Sequence, residues 1–127
     1  MTVGVDLIEI ARIRRALERH SSFRERCFTP AERAYCDSRP NPAQHYAARF
    51  AGKEAIGKAL GFGVARAFAW REIEIAGAPK PTVRLTGRLA TRLAATRGTR
   101  DGSSPQIDLS MTHSRELAAA VAVVHVV

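Results

Sequence analysis

Lysine is scarce in this 127-residue chain. The sequence has 20 Lys plus Arg, yet its only lysines are Lys53, Lys58 and Lys80. Cysteine is confined to Cys27 and Cys36, which lack the close pairing of a zinc site, so two buried reduced thiols are expected. No apolar run approaches the roughly 18 to 20 residues of a membrane span. The N-terminus has neither the basic flank nor the small-residue cleavage site of a signal peptide. A cytoplasmic location and no membrane partner are therefore expected. Aromatic residues make up only 6%, no stacking motif is evident, and the basic residues are spread along the chain. This argues against a nucleic-acid partner, although a net charge of +8 is by itself a fair footprint for one. No internal repeat or low-complexity tract is present.

With 46% hydrophobic residues, the chain suits one domain over residues 1–127, long enough for a real core. The charge balance, with a pI near 10.7, implies attraction to something anionic: nucleic acid, a phosphorylated small molecule or an acidic protein. TVGVDL alternates Val3, Val5 and Leu7 as a strand would, then gives way near Asp6 to Ile10, Ile13 and Leu17 at helical spacing. Arg12, Arg14, Arg15 and Arg19 lie off that apolar stripe. Thr29, Pro30 and Glu32 form a helix start of capping-box type. A central helix is predicted over roughly 43–60, stopping at Gly61, where glycine is expected just past a helix end.

Two strands, WREIEIAG and PTVRLT, follow, joined by the turn GAPKP. Leu89 and Leu93 mark a short amphipathic helix closed by Gly98. IDLSMT and LAAAVAVVHVV then form a terminal strand pair around HSRE, the last strand apolar enough to be buried on both faces. Strands and helices do not alternate regularly, so the predicted fold class is α+β, a small antiparallel sheet packed with helices.

The most informative stretch is RFAGKEAIGKALGFG, residues 49–63. At about 100° per residue, Glu54 and Lys58 share a side with Ala47, Phe50 and Ala51, so a charge pair sits within an apolar stripe. A buried carboxylate is costly without a partner or a metal. Lys58, one turn after Glu54, can supply that partner as a simple helix salt bridge. A chain that otherwise uses arginine has two of its three lysines here. A compact ammonium can act as a point charge on phosphate or shift its pKa.

In order and spacing, GVDLIEIARI, FTPAE, RFAGKEAIGKALGFG, WREIEI, PKPTVRL and SMTHSRELAAAVAVV resemble the holo-[acyl-carrier-protein] synthase family, the small bacterial type of 4'-phosphopantetheinyl transferase. The resemblance spans nearly the whole chain. It implies transfer of the phosphopantetheine arm of coenzyme A to a serine of an acidic apo acyl carrier protein, releasing adenosine 3',5'-bisphosphate. It also implies Mg²⁺ and a homotrimer with active sites between neighbouring subunits.

By the same resemblance, Asp6 (GxD motif) and Glu54 (KEA motif) are the metal ligands. Asp6 could instead be the N-cap of the first helix, with Glu9 three residues on, and could do both jobs. Glu54 and Lys58 are the catalytic candidates, Lys58 stabilising or protonating the departing phosphate. Either Glu54 or a metal-bound water takes the serine proton. Arg49, Lys53, Gly61, Gly63, Lys80, Pro81 and His113 match coenzyme A-binding positions. Phe62 departs from the family's GTG turn, and Ala78 and Pro79 alter the start of its GKP turn. Arg12 matches the carrier-docking position, with Arg14, Arg15 and Arg26 as neighbours. The carrier could serve fatty-acid synthesis or a polyketide or related pathway.

Overall fold

The computed structural model describes residues 1–61, 70–77, 80–97 and 105–125. The strand β1 (Thr2–Glu9) leads into α1 (Ile10–Arg19), α2 (Phe23–Cys27), α3 (Pro30–Asp37) and the long α4 (Pro42–Ala59). A 3₁₀ turn over Trp70–Glu72 opens β2 (Ile73–Ala76), which pairs antiparallel with β3 (Thr82–Leu85). After α5 (Gly87–Arg97), β4 (Gln106–His113) and β5 (Leu117–His125) complete an antiparallel sheet of order β1-β5-β4. The α+β class read from the sequence is the observed one. Among the described residues no helix is long and apolar enough to cross a membrane.

Small side chains set the distance between α4 and this sheet. Ala47, Ala51, Ala55 and Ala59 recur every four residues on α4, and all are buried. They pack toward a sheet whose central strand contributes the buried Ala118, Ala120 and Ala122. Gly4 of β1 marks the closest approach. A Cβ added there would collide with the Ala55 carbonyl and stand 2.8 Å from the Ala59 nitrogen.

The opposite face of the sheet is open. Val3 (60% exposed), Val5 (59%) and Leu7 (63%) alternate outward, and β5 adds Leu117 and Val121 beside them. The expectation of a last strand buried on both faces is met on one face only within a single chain. Within one chain, β5 buries every second residue against α4 and leaves the alternate ones half exposed or exposed.

The junction after β1 differs too. Antiparallel pairing holds β1 extended as far as Glu9↔Leu117, and α1 begins only at Ile10. Asp6 is thus an interior strand residue and no helix cap. Period-two alternation puts it on the Gly4 and Ile8 side, toward α4.

The remaining expectations fall close to the observed elements. Thr29 caps α3, its hydroxyl accepting from the Glu32 amide at 3.2 Å while Glu32 Oε1 accepts from the Thr29 amide at 2.8 Å. Gly61 follows α4 with φ +84°, a left-handed conformation that glycine adopts without strain. Leu89 and Leu93 anchor α5 in the core.

Candidate active site

Two groups of polar side chains lie on opposite flanks of α4. On the β1 flank, Lys58 Nζ donates to Asp6 Oδ1 at 3.1 Å and to the Val5 carbonyl at 3.0 Å. The pairing is with a strand carboxylate and not with Glu54 one turn earlier, which corrects the helix salt bridge expected from spacing. Glu54 faces the same group. Burial pushes its carboxyl up from the usual value, and the neighbouring Asp6 pushes it further by charge and hydrogen bonding, against the opposing charges of Lys58 and Arg12. The Lys58 side chain remains 45% exposed, free to reach a ligand, whereas Asp6 is only 12% exposed.

This donor set fits Mg²⁺. It consists of two neighbouring carboxylates, and no group of three or more acidic, His or Cys ligands forms among the described residues. Mg²⁺ is commonly held by one or two carboxylates plus waters and substrate phosphates, whereas structural Zn²⁺ uses four ligands.

On the β4 flank lies a cavity of about 200 Å³ walled by Tyr35, His45, Arg49, Pro81, Thr112 and His113 among others. Arg49 is only 3% exposed, with its guanidinium 4.1 Å over the Tyr35 ring, and its Nε has no hydrogen-bond partner among the described residues. Arg39 brings a second guanidinium to the same ring, at 4.6 Å. The His45 and His113 rings stand 6.2 Å apart. Burial lowers the His45 pKa, and the charges of Arg49, His113 and Arg39 lower it further. Among the described residues, no aspartate or glutamate lines the cavity.

Lys53 is elsewhere. Its ammonium is 0% exposed and donates to Glu32 Oε1 (2.7 Å), the Cys27 carbonyl (2.8 Å) and the Trp70 carbonyl (2.9 Å). All three of its donor hydrogens are thereby used. Glu32 in turn accepts from the Ile75 amide at 2.9 Å, so one buried pair ties together α2, α3, α4 and β2. The assignment of Lys53 to coenzyme A is corrected, because a phosphate cannot reach an enclosed and fully bonded ammonium. On the sequence Lys53 and Arg49 are one turn apart, but only Arg49 borders a cavity.

Of the other matched positions, Pro81 lines the cavity and Lys80 is exposed beside it. Gly61 stands at the end of α4, while Gly63, with Phe62, lies outside the described residues, as do Ala78 and Pro79. Arg12, Arg14 and Arg15 are exposed on α1 and Arg26 on α2. Arg14 also borders a larger cavity of about 390 Å³ at the β1–α1 junction, away from both carboxylates. Tyr35, Arg39 and His45 were not singled out from the sequence. His45 precedes Arg49 by one helical turn, a signal that was there to read; Tyr35 and Arg39 come from α3 and the loop after it, and nothing in their spacing pointed here.

A profile of the 4'-phosphopantetheinyl transferase superfamily matches residues 2–122. Holo-[acyl-carrier-protein] synthase of Chlamydia felis (strain Fe/C-56) is 44% identical over 123 residues, covering 95% of this chain and 93% of that one. The Azorhizobium caulinodans protein of the same name is 42% identical over 125 residues, covering 96% and 90%. Among solved structures, an ACPS–CoA complex from Chronobacterium ammoniagenes has a TM-score of 0.84 at 29% identity, covering 99% and 97%. The Helicobacter pylori holo-[acyl-carrier-protein] synthase in complex with coenzyme A gives 0.78 at 28% identity, covering 97% and 99%. Matched almost end to end in sequence and in backbone, the chain belongs to the 4'-phosphopantetheinyl transferase superfamily, alongside the holo-[acyl-carrier-protein] synthases.

Proposed function

We propose that this chain, as one transferase domain over residues 1–127, moves the phosphopantetheine arm of coenzyme A onto a serine of an acidic apo acyl carrier protein. Adenosine 3',5'-bisphosphate is the second product. The observation that carries the reading is the meeting of Asp6, Glu54 and Lys58, from β1 and α4, at one partly exposed place. The serine oxygen forms a bond to the phosphorus bearing the pantetheine arm, and the bond from that phosphorus to the bridging oxygen breaks, leaving the nucleotide as a phosphate. In such displacements positioning and charge neutralisation supply most of the acceleration. Mg²⁺ held by Asp6 and Glu54 would neutralise the diphosphate. Lys58, tethered by Asp6 and the Val5 carbonyl, meets the negative charge on the departing phosphate. Either Glu54 or a metal-bound water receives the serine proton.

The nucleotide end needs cations, and Arg49 and His113 offer them on the other flank of α4. Arg49 and Glu54 are five residues apart, about 140° around the helix. Their strands differ as well: β5 separates β1 from β4, placing those edges about 10 Å apart. In this reading a single coenzyme A uses the carboxylate flank of one subunit and the cationic cavity of its neighbour. The open apolar face of Val3, Val5, Leu7, Leu117 and Val121 supplies a surface for such association, in keeping with a homotrimer. Sedimentation should give three times the 13.9 kDa chain mass. The basic outer face of α1, with Arg26, suits the acidic carrier.

The test is to incubate the protein with Mg²⁺, coenzyme A and apo carrier and weigh the carrier. A gain of one phosphopantetheine arm is expected. An unmodified carrier, with folded protein and intact coenzyme A, overturns the reading. Comparing fatty-acid and polyketide carriers then identifies the pathway served.

A further inference from the structure

We propose that His45 is an additional ligand for a phosphomonoester in the Arg49–His113 cavity, and that it binds that group in its protonated form. The proposal rests on the reading of this cavity as the nucleotide end of the coenzyme A site. Three groups able to carry positive charge line it, Arg49 and His45 from α4 and His113 from β4, and Arg39 from the segment after α3 adds its charge from nearby. The His45 ring stands 6.2 Å from that of His113 and 5.9 Å from that of Tyr35, so it forms part of the wall and does not point to bulk solvent alone. Tyr35 is occupied by the guanidinium groups on either side, at 4.1 and 4.6 Å.

Among the described residues, none in the lining is a carboxylate that would balance this charge, and the Arg49 Nε is buried without a partner. A buried polar atom of this kind calls for an explanation, and an anion in the adjoining cavity supplies one. A phosphomonoester near neutral pH carries up to two charges and three acceptor oxygens, a closer match to several convergent cations than a singly charged phosphodiester. Of the phosphates in coenzyme A, one is a monoester.

Burial and then the surrounding cations disfavour the charged form of His45. Bringing in a dianion reverses that balance. Imidazole then takes a proton from solvent and both ring nitrogens become donors. Binding is thus coupled to proton uptake, and affinity rises as pH falls toward the histidine range. The charged and titratable groups that face His45 are Arg49, Arg39, Tyr35 and His113.

Calorimetric titration of the full-length protein with coenzyme A, adenosine 3',5'-bisphosphate and dephospho-coenzyme A tests this. Buffers of different ionisation enthalpy, from about pH 5.5 to 8.5, report the protons taken up. The expected result is proton uptake with coenzyme A and the bisphosphate, little with dephospho-coenzyme A, and loss of about half of the uptake or more in His45→Gln and His45→Asn. Both variants should also bind coenzyme A several-fold more weakly at low pH, the difference shrinking as pH rises. Free inorganic phosphate serves as the control for a site that reads the phosphate alone, and its uptake should also depend on His45. Unchanged affinity and unchanged uptake in both variants would overturn the role of His45 while leaving the transferase reading intact. Failure of the unaltered protein to bind coenzyme A at any pH would overturn the reading of the cavity and this inference with it.

Discussion

Lys53 and Lys58, five residues apart on one helix, show how burial decides what an ammonium can do. Lys58 is 45% exposed and held by Asp6, so it can meet an incoming phosphate. Lys58→Ala is expected to lower kcat far more than it raises KM for coenzyme A, and steady-state kinetics showing the reverse would remove it from the chemistry. Lys53 is enclosed with Glu32. Breaking a buried pair on one side strands the other charge, so Lys53→Met should cost about 3–5 kcal/mol in denaturant unfolding, and adding Glu32→Leu should recover much of that. Cys36 gives a pH dependence. Burial pushes its thiol from 9.0 up to about 12. Above pH 9.0 the unfolded chain gives up this proton while the folded chain keeps it, so stability falls as pH rises through that window. The slope for one group is about 1.4 kcal/mol per pH unit. Under reducing conditions, urea unfolding at successive pH values should show a shallower decline for Cys36→Ala than for the unaltered protein.

At the scale of elements, contact between α4 and β1 positions the carboxylate pair. Gly4 lets the helix backbone approach the strand that carries Asp6. Gly4→Ala pushes backbone against backbone, with no flexible side chain to yield, and should destabilise by about 1–3 kcal/mol. It should also weaken the response of the melting temperature to added Mg²⁺, because Asp6 and Glu54 then part. Helix α1 has two tasks. Arg12 is close enough to Glu54 to oppose its raised proton affinity, so charge reversal there disturbs the carboxylates as well as the docking face. Arg14→Glu with Arg15→Glu is the cleaner change. It should weaken carrier binding and flatten its salt dependence while leaving coenzyme A affinity nearly unchanged; equal losses in both would dissolve that division of labour.

For the whole molecule, the proposed site shared between neighbouring subunits makes assembly a condition of activity. Subunits carrying Glu54→Ala lose the carboxylate half of a site, and subunits carrying Arg49→Ala lose the cationic half. Each should be nearly inactive alone. Co-refolded in equal amounts, they should regain about a quarter of the unaltered activity, since that fraction of random neighbour contacts joins two intact halves. Absence of any recovery in mixed assemblies verified by mass would place the complete site within one chain.

The sequence alone determined the local features. Thr29, Pro30 and Glu32 form the capping box read from their order, and Gly61 ends α4 where glycine was expected, because caps depend on neighbours along the chain. The motif spacings carried the family resemblance, since they run along the polypeptide and need no coordinates. Tertiary structure decided which of two lysines on α4 is accessible, that Lys58 pairs with Asp6 across 52 residues, and that Tyr35 and His45 join Arg49 around one cavity, with Arg39 against the Tyr35 ring. It also decided that β1 continues past Asp6, because pairing with β5 outweighs the helical spacing of the residues that follow. The physical reason is common to all of these. Helix periodicity tells which residues share a side, but desolvation and charge partners depend on what packs against that side, and those partners come from distant parts of the chain.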